Sequence, residues 1–281
     1  MNDKTTLDRI RQRINPHSST PYLDSLVLLS HILERSRSWI LAHPNALLSS
    51  SQQEKIHMAL KKLEHGVPLP YVLGSWEFYQ LSFKVTPDVL IPRPETELLV
   101  DYAREWLGSH PTRRSCADIG TGSGCIPISI AHHTPDSHFT AGDLSRESLR
   151  IAQINAAKHK VDENISFYQG HLMQALGGTF DLITANLPYI PRSKLVSLDV
   201  YGREPTRALD GGREGLKYIS SLLHSAPRKL KKGGLTLIEI DESQGKEVYL
   251  LGKKYFPQAK VSVSQDLSGK DRLLIIQTRE P

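Results

Sequence analysis

From about residue 95 to its end, the chain alternates short runs rich in β-branched and aromatic residues with longer amphipathic stretches. No other feature restricts the fold as much. The runs "SCADIG", "HFTAGD", "ISFYQG", "FDLITAN" and "LTLIEI" have the length and composition of strands. Around them, "ETELLVDYAREWL", "CIPISIAHH", "SRESLRIAQINAAKHK", "GLKYISSLLHSAPRKL" and "QGKEVYLLGKKY" read as helices. Strands that alternate with helices make a parallel sheet covered on both faces. The closing segment "KVSVSQDLSGKDRLLIIQ" reads as a hairpin-like pair, which implies an antiparallel strand added at one edge. There is no internal repeat and no low-complexity tract.

The first 70 residues follow a different pattern and read as helices throughout. In "PYLDSLVLLSHILE" (21–34), Tyr22, Leu23, Leu26, Leu29, Ile32 and Leu33 fall on one helical stripe. "SRSWILAHP" adds a shorter helix stopped by Pro44. "SSQQEKIHMALKKLEHG" opens with Ser51 and Glu54 at capping-box spacing and closes at Gly66. The segment 67–92 changes character: "FYQLSFKV" alternates as a hairpin strand does. The expected organisation is a helical domain at 1–70, a β-hairpin linker at 71–92 and an α/β domain at 93–281.

Composition excludes several classes. At 39% hydrophobic and 23% charged residues the chain reads as soluble, and no apolar run approaches the roughly 20 residues of a membrane span. "MNDKTTLDRIRQRI" has both charge signs and no apolar stretch, so it does not read as a signal peptide. The two cysteines, Cys116 and Cys125, lack metal-ligand spacing and fit a reducing cytosol. No metal is expected, because the twelve histidines are scattered and form no HExxH. The net charge of +5 mildly suits an anionic partner such as RNA.

The strand–turn–helix "ADIGTGSGCIPISIA" (117–131) carries the first functional signal. Gly120, Gly122 and Gly124 let the backbone turn tightly and approach a ligand closely. In open α/β sheets such a loop lies beyond the carboxyl ends of the strands, where ligands bind. A dinucleotide site has GxGxxG, whereas the spacing here is GxGxG. The next strand run ends in Asp143, nineteen residues after Gly124, where a carboxylate can accept from two ribose hydroxyls. Loop and acid together point to a nucleoside-type ligand, and the wording D-I-G-T-G-S-G leans to S-adenosylmethionine.

The second signal is "ANLPYIP" (185–191), which follows the strand run "TFDLIT". As bare punctuation it is a strand-ending turn. Pro188 fixes its own φ and pushes Leu187 into an extended conformation. That geometry can aim the Leu187 carbonyl and the Asn186 side-chain carbonyl at one point, with Tyr189 offering a face for a flat group. Two converging acceptors can hold a planar –NH2, orient its lone pair and favour the positive charge that develops on nitrogen. The site therefore reads as an amino-group N-methyltransferase. On this reading the side chain at 187 matters little and its carbonyl a great deal.

Over nearly its full length the chain resembles the release-factor glutamine N5-methyltransferases, the HemK/PrmC family. "PLPYVLGSWEFY" and "VLIPRPETELLV" are similar to that family's linker signatures, "ADIGTGSGC" to its methyl-donor loop and "NLPYIP" to its NPPY motif. "EPTRALDGGREGLKYI", "LKKGGLTLIEI" and "DLSGKDRLLII" resemble the segments that follow. The resemblance implies a class I S-adenosylmethionine-dependent methyltransferase fold, Rossmann-like, with a mostly parallel seven-stranded sheet and a small N-terminal helical bundle. It implies methylation of the glutamine amide in the GGQ loop of peptide-chain release factors, S-adenosylhomocysteine as product, and a cytoplasmic monomer that requires neither nucleic acid nor membrane. By motif, Gly120, Thr121, Gly122, Ser123 and Gly124 line the donor's methionine moiety, Asp143 holds its ribose, and Leu172 lies near its adenine. Asn186, Leu187, Pro188 and Tyr189 hold the glutamine, with Asn186 also beside the donor. Arg93 and Glu95 to Glu97 belong to the linker signature, with a direct or a domain-positioning role.

Three departures stand out: Leu187 replaces the first Pro of NPPY, His171–Leu172 replaces an acid and an aromatic, and Asp241 stands where Gly is usual. Three rival readings remain. NPPY-type turns also serve methyltransferases acting on adenine or guanine. A nicotinamide oxidoreductase needs GxGxxG and leaves "NLPY" unexplained. A non-catalytic binding module does not account for the intact Asn186–Pro188–Tyr189 set.

Overall fold

The computed structural model describes residues 5–174 and 176–280. The chain divides into two compact units, Met1–Ser75 and Trp76–Pro281. Among the described residues, no helix is long and apolar enough to cross a membrane.

The first unit is helical: α1 (Thr6–Ile14), α2 (Pro21–Leu33), α3 (Arg37–Ala42), α4 (Ser50–Glu64) and α5 (Leu69–Leu73). Thr5 and Asp8 form a capping box at the start of α1. Leu7, Ile10 and Ile14 of α1 meet Leu26, Leu28 and Leu29 of α2 and Ile56, Leu60 and Leu63 of α4 in a buried cluster. Two sequence expectations shift here. Tyr22 and Leu23 are about half exposed, while the fully buried Leu28 lies off the expected stripe. The packing face of α2 is set by α1 and α4 on two sides, so it is wider than a single periodic stripe. The α4 capping box is formed by Ser49 and Gln52, not Ser51 and Glu54, so the helix starts earlier.

The second unit opens with a hairpin, β1 (Ser75–Phe78) and β2 (Leu81–Lys84). Its turn residues Tyr79 and Gln80 both have positive φ, as a two-residue hairpin requires. Neither is glycine, so the turn is strained, and α6 (Glu97–Ser109) holds it. The Tyr79 N–H donates to Glu97 Oε1 at 2.8 Å and its hydroxyl to Asp101 Oδ1 at 2.5 Å.

Strands and helices then alternate: β3 (Ser115–Ile119), α7 (Cys125–His133), β4 (His138–Asp143), α8 (Arg146–Lys158), β5 (Ile165–Gln169) and β6 (Phe180–Ala185). After the short α9 (Arg192–Leu195) come α10 (Lys217–Ser225), β7 (Leu230–Glu239), α11 (Gly245–Tyr255), β8 (Lys260–Gln265) and β9 (Asp271–Gln277). The seven strands from β3 onward form one sheet in the order β5-β4-β3-β6-β7-β9-β8. All pairings up to β6–β7 are parallel, and β9 runs antiparallel to both of its neighbours. The antiparallel strand is thus inside the sheet, not at its edge as the sequence suggests. A chain reversal after β8 lets β9 slip between β8 and β7, and hairpin spacing alone does not reveal which partner is central. The "KKGG" turn is absorbed into β7, at a register irregularity against β6.

One apolar cluster packs α6 and α7 residues such as Leu99, Leu107 and Ile128 on one face of the sheet. The other packs Ile219 and Leu222 of α10 and Val248 of α11 on the opposite face. At the strand starts, Asp181 accepts from the Ser115 N–H, Arg113 and Lys231, which fixes β3, β6 and β7 together. The strand order reverses between β3 and its neighbours β4 and β6, so the loops after β3 and β6 face each other across a crevice.

Candidate active site

The crevice at the carboxyl ends of β3, β4 and β6 is lined by Gly120, Thr121, Gly122 and Ser123 from the glycine loop. Asp143, Leu172, Asn186, Leu187 and Pro188 complete the expected set along its walls. Of the sequence-derived site residues, Gly124 and Tyr189 do not line it.

The loop is anchored by hydrogen bonds within the protein. The N–H groups of Gly120 and Thr121 donate to the Gly142 carbonyl at 2.8 and 2.9 Å. The Gly122 N–H donates to Asp143 Oδ2 at 2.9 Å, and Ser145 N–H to Asp143 Oδ1 at 2.8 Å. A carboxylate offers about four acceptor positions, so two remain for hydroxyl donors. Burial raises the Asp143 pKa, and these N–H groups pull the other way. Gly124 has φ +80°, and a Cβ there meets Ile128 Cδ1 at 2.7 Å and the Ala152 Cβ at 3.1 Å. Its glycine serves the close approach of α7 to α8 and not the crevice. Asn155 of α8 secures the arrangement, donating to the carbonyls of Ser123 (2.8 Å) and Lys84 (3.0 Å).

Asn186 follows directly on Ala185, which pairs with Ile119, so the turn after β6 sits beside Gly120. A Cβ on Gly120 lies 2.9 Å from Leu187 Cδ2. The Leu187 side chain is therefore not idle, contrary to the sequence reading: it is 4% exposed and packs the turn onto the loop. Asn186 Nδ2 donates to Thr96 Oγ1 at 3.1 Å. Neither Asn186 Oδ1 nor the Leu187 carbonyl accepts a hydrogen bond from any described residue. Tyr189 is held behind the crevice, its hydroxyl donating to Glu239 Oε1 at 3.1 Å and its carbonyl accepting from Gln244 Nε2 at 3.0 Å. Burial and the Glu239 charge push the Tyr189 phenol up, so it stays protonated at neutral pH.

The crevice also contains residues that sequence reasoning missed. Tyr218 of α10 and the 59% exposed Leu144 line it beside Leu172. Leu172 itself has φ +50°, and its carbonyl accepts from the Tyr168 hydroxyl at 2.6 Å. Arg93, which the linker signature had already brought forward, lines the crevice and is ion-paired with the buried Glu204, which also accepts from the Ile91 N–H at 3.1 Å. Both Glu204 and Tyr218 fall within the quoted segment "EPTRALDGGREGLKYI", but nothing local assigns either one to the crevice, because their partners lie far away in sequence.

With a single antiparallel strand beside β7 and a glycine loop facing the turn after β6, the second unit has the class I methyltransferase fold. Residues 95–201 match the model of the methyltransferase small domain, and residues 5–74 match that of the PrmC N-terminal domain. A methyltransferase from Pyrococcus furiosus shares the fold, with a TM-score of 0.52 at 18% identity over 82% of this chain and 100% of that one. The release factor glutamine methyltransferase of Coxiella burnetii is 38% identical over 273 residues, 97% of each chain. That of Moorella thermoacetica is 37% identical over 262 residues, 92% of each. The chain belongs to the release factor glutamine methyltransferase family.

Proposed function

We propose that the protein transfers a methyl group from S-adenosylmethionine to N5 of the glutamine side chain in the GGQ loop of peptide-chain release factors. The observation that carries this reading is the pair of unspent acceptors, Asn186 Oδ1 and the Leu187 carbonyl, held beside Gly120. The residues along the crevice fit the donor: Thr121 Oγ1 is buried without a hydrogen-bond partner, and a Cβ on Gly122 meets nothing within 4 Å. Gly120 to Ser123 cradle its methionine end, Asp143 its ribose, and Leu144, Leu172 and Tyr218 its base. When bound, the donor supplies an electrophilic methyl group on a sulfonium.

Asn186 Oδ1 and the Leu187 carbonyl take one N–H each of the glutamine amide and turn its nitrogen toward that methyl. The same two dipoles stabilise the positive charge that nitrogen gains as the N–C bond forms and the S–C bond breaks. The surplus N–H proton becomes acidic at that point and leaves to water, so no charged base is required. Preorganised acceptors of this kind supply several kcal/mol, on the order of 3 for each fixed hydrogen-bonding group. Residues 1–70 serve to dock the protein substrate.

Incubation with labelled S-adenosylmethionine and either purified release factor or total RNA, followed by mass mapping, tests the proposal. Label is expected on the GGQ glutamine. Label on RNA with none on the glutamine refutes it in favour of a nucleic-acid substrate.

A further inference from the structure

Gln244 is 5% exposed and stands at the N-cap position of α11. Its side chain makes no capping bond there, and glutamine is not among the residues that favour this position. Both ends of the side chain are used elsewhere. Nε2 donates to the Tyr189 carbonyl at 3.0 Å, and Oε1 accepts from the Asp241 N–H at 3.1 Å. A backbone carbonyl can only accept and a backbone N–H can only donate, so these partners fix which end of the amide points where.

Two neighbours are shaped around this bond. Asp241 Oδ1 accepts from the Ser243 N–H at 3.0 Å and from the Ser243 hydroxyl, which closes the short loop that presents Gln244. The aspartate that departs from the family pattern thus has a task. Gly215 leaves the room: a Cβ there would lie 2.1 Å from the Tyr189 oxygen and 2.6 Å from Gln244 Nε2.

The bond bears on the crevice through the backbone. Peptide planes are rigid and the Pro188 ring fixes its own φ. Only ψ of Pro188 and the φ and ψ of Tyr189 can therefore turn the Leu187 carbonyl against the Tyr189 carbonyl. On the other side β6 ends at Ala185, and Leu187 has no ring to fix its φ. We infer that Gln244 is a positioning residue for the reaction: by holding the Tyr189 carbonyl, it sets the direction of the Leu187 carbonyl. The Tyr189 hydroxyl, bonded to Glu239, fixes the same residue from its side chain. Gln244 itself does not line the crevice. The inference rests on the reading of the Leu187 carbonyl as an acceptor for the glutamine amide.

Gln244→Met keeps the length of the side chain and removes both bonds. In Q244M kcat is expected to fall roughly 10- to 100-fold, as for a reacting group displaced by up to about 1 Å. Calorimetric affinity for S-adenosylmethionine should stay within about twofold, because the donor's own contacts are untouched. A kcat within about threefold of wild type overturns the inference. So does a donor affinity that falls as far as kcat, because Gln244 would then support the whole domain and not the turn. Leu187→Pro supplies the missing ring and stiffens the turn from its other side. In that background Q244M should lower kcat by no more than about threefold, since the two residues then do overlapping work. A fall of the same size in both backgrounds overturns the inference, because a residue that only supports the fold adds its effect independently.

A last readout does not depend on the substrate. With carbon-13 at the Leu187 carbonyl, the chemical shift of that carbon should differ between wild type and Q244M in the absence of release factor. An unchanged shift overturns the inference whatever the substrate is. A wild type that labels RNA and not glutamine overturns the functional reading alone, and the carbon-13 comparison still decides whether Gln244 sets the turn.

Discussion

Asp118, in the strand that leads into the glycine loop, is a fully buried carboxyl. Its Oδ1 accepts from the Thr184 hydroxyl at 2.7 Å, and its Oδ2 has no partner. Burial pushes its pKa from 3.8 to about 6, with the Thr184 hydroxyl working against the shift and Asp143 adding to it. The sign is opposite to that of a salt-bridged aspartate. Between about pH 4 and pH 6 the folded form holds the proton more tightly than the unfolded form. Stability from this group is therefore highest below that window and falls as pH rises through it, ending roughly 3 kcal/mol lower. Asp118→Asn removes the dependence while keeping an acceptor for Thr184. The stability of the variant relative to wild type, from urea titrations at a series of pH values, should climb by that amount between about pH 4 and 6. A difference that stays flat across the window contradicts the account.

At the scale of elements, the strand–loop–helix around residue 120 separates two uses of glycine that look alike in sequence. Gly122 has φ +56° and open space where a Cβ would be, whereas Gly124 has φ +80° and a neighbouring helix there. Gly122→Ala should cost only the left-handed backbone strain of about 1 kcal/mol, yet weaken S-adenosylmethionine binding by intruding on the crevice. Gly124→Ala adds overpacking of about 1–3 kcal/mol and should lower the melting temperature more than it lowers affinity. Calorimetric titration and thermal melts of the two variants decide the matter, and equal effects on both readouts contradict the division. The motif showed that glycines were needed but not why, because Ala152 arrives from α8 and the need is long-range. The same limit explains the other misses. The apolar runs that became β3, β6 and β7 were legible, since burial on both faces leaves a local signature. The interior place of β9, the exposure of Tyr22 and the partners of Asn186 depend on residues far along the chain. Thr96 lay within a quoted signature, but its link to Asn186 spans ninety residues, and only the folded chain brings the two within 3.1 Å.

At the scale of the whole molecule, each unit has a core of its own. Leu28, fully buried, centres a cluster whose residues all lie between Leu7 and Leu69. The two clusters on the methyltransferase sheet lie between Phe78 and Ile276. Truncating Leu28 to Ala removes the γ-carbon and its two methyl groups and leaves a cavity, at a cost of about 2–5 kcal/mol. The loss should fall on the first unit. Amide hydrogen exchange in Leu28→Ala is expected to rise within Met1–Ser75 and to change little around the glycine loop, and calorimetric affinity for the donor should match wild type. If residues 1–70 dock the protein substrate, loosening them weakens recognition of a folded release factor but not of its isolated loop. KM for the intact factor should then rise several-fold in Leu28→Ala while KM for a short GGQ peptide stays at the wild-type value. Equal changes for factor and peptide would mean that the helical unit supports the catalytic one and docks nothing. The peptide serves as the control because it keeps the reacting amide and its contacts with Asn186 and Leu187, and removes only the surface that a separate docking unit can use.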